Sequence, residues 1–380
     1  MAGTRRTPAQ LALPAGHPLL AGTATDRDRR ARRRLVRELF AAGLSEEEIR
    51  HAVEEDRLVL LPAEVVLQGR RTYSDATLER NTGFTRHDIV EFTRAAGLAA
   101  PPEITARHLA TAASLRQLVD AGLDLDSVLE VTRVAGQSLS SIARVIVRVV
   151  GRTYLRAGDS EYDVAARYAE VAAQLTPVMG RIIDEQLRLH IHDALRQERL
   201  SPSARRRGRI DTGRDMAIAF ADLVGFTRMG SRVHADEVGR VAARLVQITT
   251  EVVEPPVAMV KNVGDAVMLA SPELEPLVEN VLTLVARVGD EGADYPELRA
   301  GIAYGPVVPA AGDWYGHTVN LASRLTAVAR PGTVVATAAV RAMTQGHVAW
   351  SHALPRRIRG IRGTVFVAKA RGVESARAER

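Results

Sequence analysis

The sequence predicts an α+β protein, an all-helical N-terminal domain followed by a ferredoxin-like domain of element order βαββαβ. Three observations lead there. Apolar residues recur at spacings of three and four almost throughout residues 26–200, the period of amphipathic helices. Residues 201–212, rich in Ser, Pro, Arg and Gly, then read as a linker. Beyond it, short apolar runs alternate with longer amphipathic ones through residues 213–380, the pattern of strands and helices taking turns.

Residues 1–25 mix Pro, Gly, Ala and Thr without a sustained period and are expected to be poorly ordered. Ser45 followed by Glu48 makes a capping box ahead of Ile49 and Val53, each side chain answering the other residue's backbone N–H. Residues 124–134 and 139–155 read as two further helical stretches. Asp159 and Ser160 cap a long helix from Tyr162 to about Leu200. Pro177 is expected to bend or interrupt it, because proline has no N–H for the helix interior. After the linker, residues 216–224 read as a strand and 235–253 as a helix. Residues 257–263 and 266–270 are two strands joined at Gly264 and Asp265, a tight hairpin. Residues 274–288 form a helix, 298–308 a strand, and 318–329 a helix that Pro331 and Gly332 end. Residues 364–370 supply a last strand. In a split sheet of this kind the helices are expected on one face.

Composition narrows the function classes. The chain has no cysteine, which excludes disulfides and thiolate metal sites and fits a reducing compartment. No apolar run approaches the roughly 20 residues of a membrane span, and the N-terminus lacks a secretory pattern. A cytoplasmic location is the expectation. The net charge of +6 is unevenly placed: residues 1–37 hold nine Arg and two Asp, net +7, whereas 38–210 carry −2 and 211–380 carry +1. The excess is a basic run around residues 27–34, which can touch anionic surfaces but more commonly is a solvated charge run. Neither folded body is basic, so nucleic acid is not an expected partner.

Two features of the helical half carry other readings. Residues 74–89 resemble a helix-turn-helix, with Gly83 in the turn, Thr85 and Asp88 capping the second helix, and Arg86 and His87 at its start. The stretch from Phe92 to Leu98 resembles winged regulators of the mercury-resistance type. His190 and His192 stand near the end of the long helix. Two apart, they cannot share a helix face, so a two-His metal site is not expected. Their titration near physiological pH makes them candidate regulatory positions on a helix that feeds the second half.

The chemistry-bearing residues fall in three clusters of the second half. Asp222 ends an apolar strand, where an unpaired carboxylate is costly to bury, and Gly225 lets backbone amides approach an anion. Lys261 is one of only two lysines among 51 basic residues, four positions before Asp265 at the hairpin tip. A lysine there supplies a compact point charge where arginine would supply a planar fork. The third cluster runs from Asp313 through Asn320 to Arg324, the last two spaced to share a helix face. Two acids at neighbouring strand ends suit hard divalent cations, and magnesium favours a few carboxylates plus phosphate oxygens. A Walker phosphate loop is absent from the sequence.

Together these clusters resemble the class III nucleotide cyclases over residues 216–370. The resemblance implies that Asp222, the carbonyl of Leu223 and Asp265 hold two Mg²⁺ or Mn²⁺ ions per active site. It implies that Lys261 and Asp313 recognise adenine, where guanylate cyclases typically carry Glu and Cys. Asn320 and Arg324 match the pair that orients the ribose and stabilises the transition state, and Phe226, Thr227 and Arg359 match substrate-contacting positions. The implied activity is that of an adenylate cyclase, a phosphorus–oxygen lyase turning ATP into 3′,5′-cyclic AMP and pyrophosphate. The family builds its site at a dimer interface, and this chain carries each position once, so a homodimer is implied. The helical half resembles the regulatory domain ahead of some actinobacterial cyclases, implying control of catalysis by pH or a ligand. The competing reading is a DNA-binding helix-turn-helix regulator that senses nucleotide through a cyclase-like domain; the intact catalytic positions argue against it.

Overall fold

A computed structural model describes residues 13–14, 16–197, 205–206, 213–231 and 233–373. The expected linker, 201–212, lies outside the described residues apart from 205 and 206. The chain divides into two compact units, Met1–Arg199 and Leu200–Arg380.

The first unit is helical: α1 (Asp26–Ala41), α2 (Glu46–Glu54), α3 (Leu61–Gln68), α4 (Asp75–Thr82), α5 (Arg86–Ala95), α6 (Ala106–Asp120), α7 (Leu125–Tyr154) and α8 (Glu161–Gln197), with a two-stranded ribbon of β1 (Thr72–Tyr73) and β2 (Ile104–Thr105). The expected capping boxes form at Ser45 with Glu48 and at Thr85 with Asp88. Ser160 exchanges bonds with Asp163 at the start of α8. One core gathers Leu35, Leu39, Ile49 and Ala165; another gathers Leu78, Ile89, Phe92 and Leu129.

Four expectations change here. Residues 16–25 are not a featureless tail, because a single turn at Pro18–Leu20 buries Leu19 and Leu20 in the first core. Three residues are too few to leave a period in the sequence. The two stretches at 124–134 and 139–155 are one 30-residue helix, α7. The small residues between them serve contact, not termination: a β-carbon on Gly136 would meet Ala96 Cα at 2.6 Å. Helix α8 runs through Pro177 without a break. The basic run of residues 27–34 belongs to α1 and is partly used within the unit. Arg32 is paired with Glu161, and the Arg34 guanidinium lies 3.8 Å from the centroid of Tyr162. By length and composition α7 could cross a membrane, a property hidden in the sequence because polar residues punctuate its apolar stretches. Its first turns are buried at Val128, Leu129 and Gly136, while Val131, Leu139, Ile142, Val145 and Val149 are exposed.

Within the helix-turn-helix, Gly83 takes the left-handed turn at φ 69°. Arg86 donates to Asp75 and to the carbonyls of Pro101 and Pro102. The cation that would open a recognition helix is thus bonded within its own unit.

The second unit is built on one nine-stranded sheet. Its elements are β3 (Arg214–Leu223), α9 (Phe226–Met229), α10 (Ala235–Val252), β4 (Ala258–Val263), β5 (Ala266–Ser271), α11 (Leu274–Gly289), β6 (Leu298–Ala310), β7 (Asp313–Tyr315), α12 (His317–Val328), β8 (Val334–Thr337), α13 (Ala338–Met343), β9 (Val348–Trp350), β10 (Leu354–Arg356) and β11 (Val365–Val373). The strand order is β10-β11-β8-β6-β3-β5-β4, with β7 on β6 and β9 on β11. The four strands β6-β3-β5-β4 are antiparallel neighbours, the split βαββαβ arrangement that the sequence predicts.

Alternation along β3 separates two cores. Ala217, Ala219, Ala221 and Leu223 join Leu245 and Ile248 of α10 and Leu277, Val281 and Leu284 of α11. Met216 and Ile218 join Ala322 and Leu325 of α12, with Phe220 packed alongside. Helices α10 and α11 share one face as expected, but α12 covers the other. A third helix following the βαββαβ order had no assigned face in the sequence pattern.

Candidate active site

The acidic cluster is set by strand register. Asp222, at the end of β3, stands opposite Ala266 of β5 and Arg299 of β6. Gly264, at φ 62°, turns the β4–β5 hairpin. The next residue, Asp265, accepts the Leu223 N–H on its backbone carbonyl at 3.0 Å. Burial pushes the Asp265 carboxyl above the usual carboxylate range, and the charge of Asp222 pushes the same way, with Arg299 opposing both. Asp265 therefore feels the charge of Asp222. Arg299 grips Asp222 Oδ2 from Nη2 at 2.7 Å and Nε at 3.1 Å, and reaches the Ala327 carbonyl of α12 at 3.3 Å. Among the described residues, no three His, Cys, Asp or Glu side chains gather as a metal cluster. A cation here would have two carboxylates and the Leu223 carbonyl, and would need oxygens from elsewhere. That donor set suits magnesium or manganese with water and phosphate as further ligands.

Gly225, at φ 79°, leads into α9. Phe226 packs its ring against the α10–α11 core. Thr227 is in α9, and its side chain lies outside the described residues.

The second cluster joins distant parts of the chain. Lys261 follows a register irregularity in β4 and pairs with Met268 of β5. Its ammonium donates to Asp313 Oδ2, at the start of β7. The other carboxylate oxygen, Oδ1, accepts the Trp314 N–H at 2.8 Å.

The third cluster rides on α12. A β-carbon on Gly301 of β6 would meet the Ala322 carbonyl at 2.6 Å, so helix and sheet touch backbone to backbone. The Thr326 hydroxyl donates to the Phe220 carbonyl of β3 at 3.0 Å, and the Thr318 hydroxyl to Pro306 at 2.9 Å. Asn320 and Arg324 are both exposed on this anchored helix. The Arg324 guanidinium lies beside Gly360, whose β-carbon would be 3.7 Å from Nε. Arg359, exposed in that same loop, is thereby brought near Arg324. His190 and His192 belong to the first unit, exposed on α8.

Among the described residues, no recorded hydrogen bond or ion pair joins the Asp222–Asp265 cluster to the Lys261–Asp313 cluster. Sequence reasoning missed Arg299 and Thr326. The signal for Arg299 was available once β3 and β6 are recognised as antiparallel neighbours, since a cation directly opposite a carboxylate is a favourable cross-strand pair.

Comparison with known proteins bears on both units. A family model described as the adenylate cyclase regulatory domain matches residues 14–195, and one described as the adenylate and guanylate cyclase catalytic domain matches residues 210–367. A pH-sensitive adenylate cyclase of Mycobacterium tuberculosis is 36% identical, over 93% of this chain and 90% of its own. An adenylate cyclase of Streptomyces coelicolor is 30% identical over 74% of each chain. A solved adenylyl cyclase of P. aeruginosa covers 43% of this chain and 96% of its own at 18% identity and TM-score 0.37. The chain belongs to the class III adenylate and guanylate cyclase family, with that family's adenylate cyclase regulatory domain ahead of the catalytic domain.

Proposed function

We propose that this chain is an adenylate cyclase that forms 3′,5′-cyclic AMP and pyrophosphate from ATP, as a homodimer controlled by its helical half. The observation that supports it most is the meeting of Lys261 with Asp313 from β4 and β7. An ammonium can only donate and a carboxylate can only accept. Adenine offers an acceptor at N1 and a donor at its exocyclic amine, so the two side chains exchange their mutual bond for bonds to the base. Guanine presents a carbonyl and an N1–H, reversing both roles. With a base covering this half-buried pair, leaving a donor or an acceptor mispaired costs about 1–3 kcal/mol, enough for selection between bases.

Asp222, the Leu223 carbonyl and Asp265 would hold two Mg²⁺ or Mn²⁺ ions, with triphosphate oxygens completing the shell. When bound, the ions neutralise the triphosphate and acidify the ribose 3′-hydroxyl. Arg299 fixes the orientation of Asp222. Asn320 orients the ribose, and Arg324, one helical turn on, meets the charge that develops at the α-phosphorus. Arg359 adds a cation for the terminal phosphates, and Phe226 and Thr227 stand at positions that match substrate contacts in the family.

Each chain has one acidic cluster and one base-reading cluster, so two copies arranged about a two-fold axis complete two equivalent sites. Exposed Val263, Val308, Tyr315 and Val328 lie within a few residues of the three clusters and give a second copy apolar surface to cover. Control by the helical half is supported by its family match and by the name of the M. tuberculosis relative, which makes pH one candidate signal and a ligand another. His190 and His192 are the candidate regulatory positions on α8. A cytoplasmic location goes with an ATP substrate. The test is cyclic AMP formation from ATP and Mn²⁺ by the full chain and by Asp222→Ala; undiminished turnover in the variant would remove the metal assignment.

A further inference from the structure

Asp313 is carried by a weak element. Strand β7 has three residues and, among the described residues, pairs only with the end of β6, where Pro309 stands opposite Trp314 and has no N–H to give. Lys261 of β4 holds one carboxylate oxygen, Oδ2, and the other needs a separate support. Trp314 fixes one carboxylate oxygen through its own N–H, and its ring packs into the α12 core. Over that ring lies Arg214, the first residue of β3, with its guanidinium carbon 4.7 Å from the ring centroid. Among the described residues, Arg214 Nε is buried without a hydrogen-bond partner. A buried donor left unpaired is unfavourable, and stacking the partly buried guanidinium on an indole is the interaction that offsets it.

We propose that Arg214 is a specificity-positioning residue: by clamping Trp314 it sets the Asp313 carboxylate for reading the nucleotide base. This rests on the reading of Lys261 and Asp313 as base selectors. The clamp acts on the direction of one acceptor, not on the reacting atoms, so its loss should appear in base choice and KM before it appears in kcat.

The experiment uses the full chain, with kcat and KM measured for ATP and for GTP with Mn²⁺, in Arg214→Gln, Arg214→Lys, Trp314→Leu and Asp313→Ala. Arg214→Gln should lower the ATP-over-GTP ratio of kcat/KM about tenfold, mainly by raising KM for ATP. Arg214→Lys keeps a cation over the ring and should restore most of the ratio, and Trp314→Leu tests the same clamp from its other side should Arg214→Gln not fold. Equal losses with both nucleotides, leaving the ratio unchanged in Arg214→Gln and in Trp314→Leu, would overturn the proposal and make the stack a packing contact. An unchanged ratio in Asp313→Ala would instead remove the base-selector reading itself. A lowered ratio in Asp313→Ala beside an unchanged one in Arg214→Gln would remove only the role of Arg214.

Discussion

The two units use their charged residues differently. In the helical unit, charged side chains join helix to helix and serve architecture: Arg32 with Glu161 and Arg34 over Tyr162 tie α1 to α8, and Arg70 meets Glu48 beside a capping box. In the sheet unit the half-buried pairs Asp222–Arg299 and Lys261–Asp313 lie at strand ends, on the face that α12 covers. Both units contain a glycine at which backbone meets backbone, Gly136 against Ala96 and Gly301 against Ala322. Only the second supports a helix that carries candidate catalytic residues. Similar packing devices serve shape in one unit and aim side chains in the other.

The largest expected effect sharpens that division. Asp222→Ala or Asp265→Ala should cut cyclic AMP formation about 10³-fold or more, since among the described residues no third acid gathers with these two to replace a proposed metal ligand. Arg324→Ala should follow, lowering kcat about 10²–10³-fold with KM within a few-fold, as expected for a group that acts in the transition state. A KM effect of that size instead would make Arg324 a binding residue.

Next come the glycines. Gly301→Ala and Gly136→Ala should each cost about 1–3 kcal/mol by forcing backbone apart. Calorimetry of the full chain should show them lowering different transitions, and only Gly301→Ala should directly impair catalysis. If both lower the same transition, the two units do not unfold independently. Lys261→Arg keeps the charge but should reduce ATP preference about tenfold, because a planar fork does not reproduce one rotatable donor. The smallest effect is expected from Arg34→Ala, about 1 kcal/mol or less of stability, measured by denaturant unfolding.

Legibility in the sequence followed the same division. The βαββαβ order and the positions of Asp222, Lys261, Asp265, Asn320 and Arg324 were readable because each sits in a short local pattern: a strand end, a hairpin tip, a helix face. Arg299 was not, because on its own it is one more arginine in a strand. It acquires meaning only when β6 aligns against β3 and brings it opposite Asp222. Thr326 and Gly301 were hidden for the same reason, since the contact between α12 and the sheet is non-local. In the helical unit, caps were legible at Ser45, Thr85 and Ser160, whereas helix ends were not. Small residues near Gly136 looked like a break and proved to be a contact, and Pro177 lies within a continuous helix.

Catalysis in the sheet unit and control in the helical unit is the central claim. Its most direct test is cyclic AMP formation by the full chain and by residues 210–380, measured side by side across pH with ATP and Mn²⁺. The account predicts product from both, with specific activities that differ and a difference that changes with conditions. Equal activity at every pH, or no cyclic AMP from either, would contradict it.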